Sequence, residues 1–280
     1  MRETESRPDL LAAGGQQLTP IERWQIATIR RTFEPGITHE AIRWFQRTVG
    51  ATWIDVATSR LRTVHGAERL PALEGGRSYV CVANHRSFFD LYVVTSWLVS
   101  TGRLRQRILF PVRANFFYDT VPGFFVNGVM SFFAMYPPIF RERPRAPLNL
   151  TSLDELTWLL DRGGTFTGIH PEGTRGTGQD PYELLPAQSG VGRILHGTGA
   201  VVLPVFVNGL CNDIVRQVRS NFDGTGDPIH IVFGEPLDLT ELRARPGSPR
   251  TYKLIAERCL DAIRALGAEE RTHRGGRGAR

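Results

Sequence analysis

The chain has 280 residues, 41% of them hydrophobic, which is enough for one sizeable α/β domain with a small appendage. Its formal net charge is +6, and Lys253 is the only lysine among its 34 basic residues. Such a balance suits nucleic acid, an anionic membrane or an anionic substrate. The sequence has no paired Cys/His finger and no aromatic RNA-binding signature, which argues against nucleic acid.

The sequence also indicates whether the chain carries a targeting segment, a membrane span or disulfide bonds. The N-terminus carries Glu3, Glu5 and Asp9 and lacks the basic-then-apolar pattern of a signal peptide. No uninterrupted apolar run reaches the roughly 18 residues of a spanning helix, so the chain is expected to be soluble or peripheral to a membrane. The three cysteines are far apart and have no CxxC spacing, which predicts reduced packing residues in a cytosolic compartment.

The N-terminal region divides into two parts. Residues 1–18 are polar and predicted to be disordered, and residues 19–62 are predicted to form an amphipathic helical pair. Thr19 and Glu22 fit a capping box, which predicts a helix that ends near Phe33. The second helix carries apolar residues at spacings of three and four: Ile42, Phe45, Val49, Trp53 and Val56. The pair could pack on the main domain, rest on a membrane with its arginines near anionic headgroups, or do both.

Residues 63–268 are predicted to form the main α/β domain. Residues 78–83 have strand character, residues 91–99 form a buried helix, and residues 108–112 form a second buried strand. The phenylalanine-rich stretch 116–135 is interrupted by polar residues and a proline, which disfavours a membrane span. This stretch is either a buried helical segment or a wall for an apolar chain that partly enters the membrane interface.

Predicted strands and helices also alternate in the second half of the chain. A capping-box pattern at Ser152 and Glu155 predicts the start of a helix. Strands are predicted at 165–169, 201–207 and 229–234, and Pro204 suggests that the middle one is bulged or near an edge. A last helix begins at Ser248-Pro249, and the basic tail 269–280 is predicted to be disordered. Strands alternating with helices predict a mostly parallel central sheet flanked by helices.

The stretch from Asn84 to Asp90 joins a predicted strand to a predicted helix, where α/β proteins place functional residues. With His85 in the turn and Asp90 in the first helical turn, the carboxylate can bond one imidazole nitrogen and stabilise the imidazolium. The other nitrogen is then free to take a proton from a hydroxyl. Asn84 could orient the turn. The alternative is a capping aspartate beside an incidental surface histidine.

A second constellation, His170 to Arg175, follows another predicted strand. Pro171 and Gly173 shape a tight turn from which Arg175 projects. Because Arg143 follows a separate strand-like run, the two arginines could clamp a phosphate; surface ion pairs with Glu142 or with a glutamate of the turn are the alternative. The sequence has no GxSxG nucleophile elbow and no metal-ligand cluster, so neither a protein nucleophile nor a metal or cofactor is expected.

These motifs resemble those of the glycerolipid acyltransferases, typified by 1-acylglycerol-3-phosphate acyltransferase. Asn84, His85 and Asp90 match the family's NHxxxxD signature, and residues 171–175 match its PEGTR block. Residues 202–205 resemble a late Pro-containing strand block, and the order and spacing agree over roughly residues 75–235. The arginine block between the two main motifs lacks its usual Gly; Arg143 aligns with the family arginine, and Arg141 is the alternative.

The resemblance implies transfer of a fatty acyl group from acyl-CoA or acyl-carrier protein to a lysophospholipid hydroxyl, first of all that of 1-acylglycerol-3-phosphate, which gives phosphatidic acid. His85 would be the general base, oriented by Asp90, and no acyl-enzyme would form. Substrate-binding roles are implied for the other motif residues: Asn84, Arg143, Glu172, Gly173, Thr174 and Arg175. Further candidates are Arg141, Ser87 and His170; His170 stands where an aromatic residue commonly precedes the proline, and it could pack or add a donor.

Two other functions remain open. The acceptor could be glycerol-3-phosphate, a lyso-aminolipid or a glycolipid, or the fold could serve a non-catalytic lipid-binding protein. For the lysophospholipid acyltransferase, an anionic membrane surface is an expected partner, and the chain is expected to bind peripherally to the cytoplasmic side of the cell membrane.

Overall fold

The computed structural model describes residues 6–275. Its strands are β1 (Arg62–His65), β2 (Tyr79–Ala83), β3 (Arg107–Arg113), β4 (Met135–Ile139), β5 (Thr165–Ile169), β6 (Val201–Asn208) and β7 (Ile229–Phe233). They form one sheet in the order β1-β7-β6-β2-β5-β3-β4. The five strands from β6 to β4 are parallel, and β7 pairs antiparallel with β6. The predicted mostly parallel α/β sheet is therefore confirmed.

Helices cover both faces of this sheet. They are α1 (Leu10–Gly14), α2 (Pro20–Arg31), α3 (Ile37–Phe45), α4 (Ala51–Thr58), α5 (Asp90–Ser100), α6 (Ala114–Phe117), α7 (Val121–Ser131), α8 (Leu148–Asp161), α9 (Ser189–Gly197), α10 (Ile214–Asp223), α11 (Thr240–Ala244) and α12 (Pro249–Gly275). The connections that contain α5 and α7 run along the sheet in the opposite direction to those that contain α8 and α9. Right-handed crossovers therefore place these two pairs on opposite faces.

The helical pair near the N-terminus packs on the sheet through a face that the spacing did not predict. A π-helical segment, Gln46–Gly50, links α3 to α4. Buried Gln46 donates to the Ile108 carbonyl at 3.1 Å and accepts from the Ile108 N–H at 3.0 Å, which fixes the helix to β3. Ile54 is buried, whereas Val49 and Val56 are 46% and 51% exposed. Part of the predicted apolar stripe thus faces outward.

Both predicted disordered ends require correction. Within the described part of residues 1–18, α1 is capped by Asp9, Leu10 is fully buried, and Arg7 donates to Glu155 at 2.7 Å. At the other end, α12 continues to Gly275, because buried Glu270 accepts from the Tyr182 hydroxyl at 2.6 Å. The predictions for residues 1–5 and 276–280 lie outside the described residues.

Two local predictions in the second half are also wrong. α8 begins at Leu148, so Ser152 lies inside the helix and donates to the Pro138 carbonyl at 2.8 Å. Pro204 lies in β6, inside the sheet. Its carbonyl accepts from the Gly234 N–H at 3.0 Å. Because N–H and C=O of one strand residue point to the same side, the missing N–H faces the end of β7, where it interrupts little of the ladder.

Candidate active site

The two sequence motifs meet because their strands are neighbours. β2 and β5 pair in parallel, with Val82 opposite Ile169, so the residues that follow both strands reach the same edge of the sheet. Asn84 secures the first turn: its amide donates to the Val207 carbonyl and accepts from the Val207 N–H, both at 2.8 Å. This buried pair joins the end of β2 to the end of β6 and leaves Asn84 a structural role.

His85 and Asp90 form a hydrogen-bonded pair. Asp90 is the first residue of α5, and His85 Nδ1 lies 3.3 Å from its Oδ2, the geometry that the spacing predicted. The same oxygen accepts from the backbone N–H groups of Arg86 and Ser87, each at 2.8 Å. A carboxylate only accepts, so Nδ1 of His85 carries the proton and Nε2 is the basic nitrogen.

Electrostatics keeps this pair ready for proton transfer. Burial, followed by the positive charge of Arg175, lowers the pKa of His85 to about 4. Burial raises the pKa of Asp90 to about 6, although the backbone bonds from Ser87 and Arg86 favour its carboxylate. At neutral pH the imidazole is therefore neutral and the carboxylate ionised, so that His85 can accept a proton.

His170 follows β5 directly, and its ring stacks on His85. The ring centroids are 3.7 Å apart and the planes differ by 7°. His170 Nδ1 lies 3.1 Å from the Ala83 carbonyl, to which it must donate. Burial lowers the pKa of His170 to about 3, so this second ring is also neutral.

Glu172 lies under the site, with both oxygens facing protein backbone. Its Oε1 accepts from the His85 N–H at 2.8 Å, and its Oε2 accepts from the Leu185 N–H at 2.7 Å. Gly173 shapes the same turn with a φ of +67°, where any other side chain would be strained. The Glu172 side chain is almost fully buried, so its contacts are those of a structural support.

Of the arginines, Arg141 and Arg175 reach the site. Arg141 donates to the Gly173 carbonyl at 2.6 Å and, like Arg175, helps to lower the pKa of His85. Arg143 lies at the start of a 3-10 turn, Arg143–Arg145, and is exposed, as Arg141 also is. The structure therefore brings the alternative, Arg141, to the dyad in place of Arg143. Glu142 contacts Asn115 and Arg145 instead of an arginine of the site.

The remaining motif residues differ in their surroundings. Ser87 is buried, and its hydroxyl accepts from the Phe89 N–H at 3.1 Å and lies 3.3 Å from the Cys211 carbonyl. Thr174 is exposed on the turn beside Arg175.

A polar cavity of about 550 Å³ opens beside Asp90, lined by residues that include Arg86, Arg175 and Asn212. The sequence reasoning missed the contribution of Asn212, which accepts from Arg175 at 3.1 Å and from the Phe88 N–H at 3.0 Å. It also assigned no role to Arg86. Asn212 precedes α10, a helix without a clear sequence signal, whereas Arg86 lies inside the first motif and could have been found there.

His85, Asp90 and His170 offer potential metal ligands that all lie within 4.8 Å of one another. The two rings are nearly parallel, so their in-plane lone pairs cannot converge on one ion unless a ring rotates. His170 Nδ1 is also committed to Ala83, and Asp90 Oδ2 already accepts three hydrogen bonds. The arrangement favours proton transfer over metal ligation.

A mostly parallel α/β sheet thus carries a partly buried His–Asp pair and two arginines at the carboxyl edge of its strands, where enzymes of this architecture place catalytic residues. Residues 61–208, just over half of the chain, match the family model described as Acyltransferase. The chain belongs to this acyltransferase family, and the family predicted from the motifs is confirmed.

The fold is similar to that of solved structures. One of them is described as the 1-acyl-sn-glycerophosphate (LPA) acyltransferase, PlsC, from Thermotoga maritima. The TM-score is 0.54 at 20% sequence identity, and the match covers 93% of each chain. At this identity the likeness establishes the fold alone. No curated protein matches the chain.

Proposed function

We propose that this acyltransferase moves a fatty acyl group from an acyl thioester to the hydroxyl of 1-acylglycerol-3-phosphate and so makes phosphatidic acid. The hydroxyl oxygen attacks the thioester carbonyl while its proton passes to His85 Nε2. The tetrahedral intermediate then collapses, the C–S bond breaks, and the proton is returned to the thiolate. The products are an ester and a free thiol, and Asp90 stabilises the imidazolium that forms in between.

The observation that carries this proposal is the neutral His85, bonded to Asp90 at 3.3 Å and flanked by Arg141 and Arg175. A thioester is already activated, so a base and a well-positioned alcohol are sufficient. Two guanidinium groups beside the base suit an acceptor whose hydroxyl is close to a phosphate. The Thermotoga maritima protein of similar fold is described as an acyltransferase for such an acceptor.

Direct transfer is favoured over an acyl-enzyme. The hydroxyl of Ser87, the serine nearest in sequence to His85, is held by the backbone of Phe89 and Cys211. The donor would be acyl-CoA or acyl-carrier protein, and no cofactor is required for this chemistry.

Thiol release in the presence of an acceptor panel tests the proposal. With one acyl donor, the purified chain should release thiol fastest with 1-acylglycerol-3-phosphate, and His85→Ala should lose at least about 1,000-fold in kcat. Full activity of His85→Ala would refute the role of the base, and acceptor-independent thiol release would indicate a hydrolase.

A second acceptor class is favoured by one specific observation. Arg141 reaches the site where the motif alignment places Arg143, so the clamp departs from the family pattern. Glycerol-3-phosphate, a lyso-aminolipid or a glycolipid would be the acceptor if the panel shows preference for one of them. Strict preference for 1-acylglycerol-3-phosphate would exclude this candidate.

For location, we propose peripheral attachment to the cytoplasmic side of the cell membrane. Trp24 and Phe124 join α2 to α7 with centroids 4.6 Å apart, and Phe125 beside them is 61% exposed. An apolar groove of about 550 Å³ between α4 and α10 is lined by residues that include Trp53 and Phe222. Exposed aromatic and apolar side chains of this kind suit insertion into a lipid interface. Within residues 6–275, no helix is both long and apolar enough to cross a membrane.

A further inference from the structure

In the stacked pair of His85 and His170, a hydrogen bond orients each ring in addition to the stacking contact. His85 is held in its ring plane by the bond from Nδ1 to Asp90, and His170 by the bond from Nδ1 to the Ala83 carbonyl. The faces of the two rings then lie against each other at 3.7 Å, nearly parallel. Because its N–H is already used on Ala83, His170 has no N–H left to donate to a substrate in this tautomer.

We propose that His170 is a positioning residue for acyl transfer. Its ring holds the plane of His85, so that Nδ1 stays on Asp90 while Nε2 faces the acceptor hydroxyl, and it covers one face of the His85 ring against water. This inference rests on the proposed function of His85 as the general base.

The physical reason is that a long hydrogen bond holds an imidazole only loosely. The hydrogen bond from the His85 ring to Asp90 is 3.3 Å long, and the ring can swing about it. A flat neighbour at van der Waals distance removes that freedom. Burial keeps His170 itself neutral, so its ring adds no positive charge beside His85.

Several other charged or titratable groups surround His85, and they would remain when His170 is replaced. Those identified at this site are Asp90 on α5, Arg86 in the same turn, Arg141 after β4, and Glu172 and Arg175 in the turn after β5. A change in the pH dependence of a His170 variant therefore reports the loss of the ring.

Two substitutions separate the ring from its hydrogen bond. His170→Phe keeps a flat ring but cannot donate to Ala83, whereas His170→Asn keeps an amide donor but lacks the ring. We expect His170→Phe to stay within about 3-fold of the wild-type kcat, and His170→Asn to lose about 10- to 100-fold with little change in KM for the acceptor. In His170→Asn the acid limb of the kcat profile should also move to higher pH, because water reaches the uncovered face of His85.

The contrary results are distinct. Wild-type kcat and acid limb in His170→Asn, or a His170→Phe variant as slow as His170→Asn, would overturn the role of the ring. If His170→Phe fails to fold, NMR titration of His85 in the wild type and His170→Asn decides: an unchanged pKa of His85 refutes the inference, and a raised one supports it. Loss of activity in His85→Ala together with a normal His170→Asn refutes this inference alone, whereas full activity of His85→Ala refutes the proposed function.

Discussion

The Oε1 atom of Glu172 accepts a hydrogen bond from the backbone N–H of His85 at 2.8 Å. The other oxygen accepts from the Leu185 N–H at 2.7 Å, so one buried carboxylate joins the turn after β2, the turn after β5 and the loop before α9. The resemblance implied that this glutamate binds substrate. In this chain both of its oxygens accept hydrogen bonds from the backbone, which predicts that Glu172 holds the turn of His85 in place.

Replacing Glu172 with Ala should therefore affect stability as well as rate. Two backbone N–H groups would lose their acceptor, at about 1–3 kcal/mol each if they stay buried. We expect the melting temperature to fall by at least about 5 °C in a thermal scan followed by circular dichroism. Glu183→Ala, an exposed carboxylate in the same loop, is the matched control and should melt like the wild type. An unchanged melting temperature together with a raised KM for the acceptor would indicate that Glu172 binds the substrate.

Arg141 and Arg143 should differ in their effect on catalysis. Arg141 donates to the Gly173 carbonyl and lies close enough to lower the pKa of His85, whereas Arg143 lies on the following 3-10 turn. A charge-assisted bond to a phosphate contributes about 1.5–3 kcal/mol, so Arg141→Ala should lower kcat/KM for the acceptor by about 10- to 100-fold. Arg143→Ala should change it by less than about 3-fold. The reverse ranking in steady-state kinetics would support the original motif alignment.

The sequence was informative where chemistry and local pattern coincide. Strand–helix alternation predicted the parallel sheet, and the five-residue spacing placed His85 in the turn and Asp90 at the start of α5. The capping box at Thr19 is also present, with the Glu22 side chain accepting from the Thr19 N–H at 2.8 Å.

What the sequence could not predict depends on contacts between distant residues. Glu155 belonged to an apparent capping box, but tertiary contact buries it as the partner of Arg7 and Arg30. The contact of Arg141 with the Gly173 turn depends on where β4 ends, which spacing alone does not give. The stack of His170 on His85 required the pairing of β2 with β5 to be known.

Asn84→Asp should test whether the first motif residue is structural. The amide donates to the Val207 carbonyl, and a carboxylate there would face that carbonyl with no proton to share. Loss of this buried bond should lower the free energy of unfolding by about 1–3 kcal/mol in urea denaturation. Asn212→Asp, at a more exposed position beside Arg175, is the comparison and should be affected less. Wild-type stability of Asn84→Asp, combined with weakened acceptor binding, would favour a substrate contact.

Stability should depend on pH through the histidine pair. The pKa of His170 falls from 6.5 to about 3 on folding, and that of His85 from 6.5 to about 4. Below pH 6.5 the unfolded chain therefore binds protons that the folded chain does not. The free energy of unfolding consequently decreases as the pH is lowered from 6.5 towards the folded pKa values. Asp90 acts in the opposite sense, because its pKa rises from 3.8 to about 6 and the folded state binds the proton more tightly.

The His170→Phe variant isolates the contribution of His170 to the pH dependence of stability. Between pH 7 and pH 5, we expect the wild type to lose about 1–2 kcal/mol more unfolding free energy than this variant, because only the wild type must keep His170 neutral. Urea denaturation at the two pH values measures the difference. Identical losses in the two proteins would mean that His170 titrates normally in the folded state.

Membrane binding should depend on the exposed apolar side chains of α7. Phe125 and Val129 are 61% and 67% exposed and lie four residues apart, so they project from the same side of the helix. Burying a large apolar side chain in lipid gains about 1.5–3 kcal/mol, so the double variant Phe125→Ser/Val129→Ser should bind anionic phospholipid vesicles at least about 10-fold more weakly in a low-salt sedimentation assay. Leu150→Ser, a change of one exposed apolar residue on α8 across the sheet, should bind like the wild type. High salt should weaken whatever contribution the arginines make, without changing the order of the variants.

Equal sedimentation of the double variant and the Leu150 control would exclude α7 as the contact surface, and loss of binding in both would point to a less specific association with lipid.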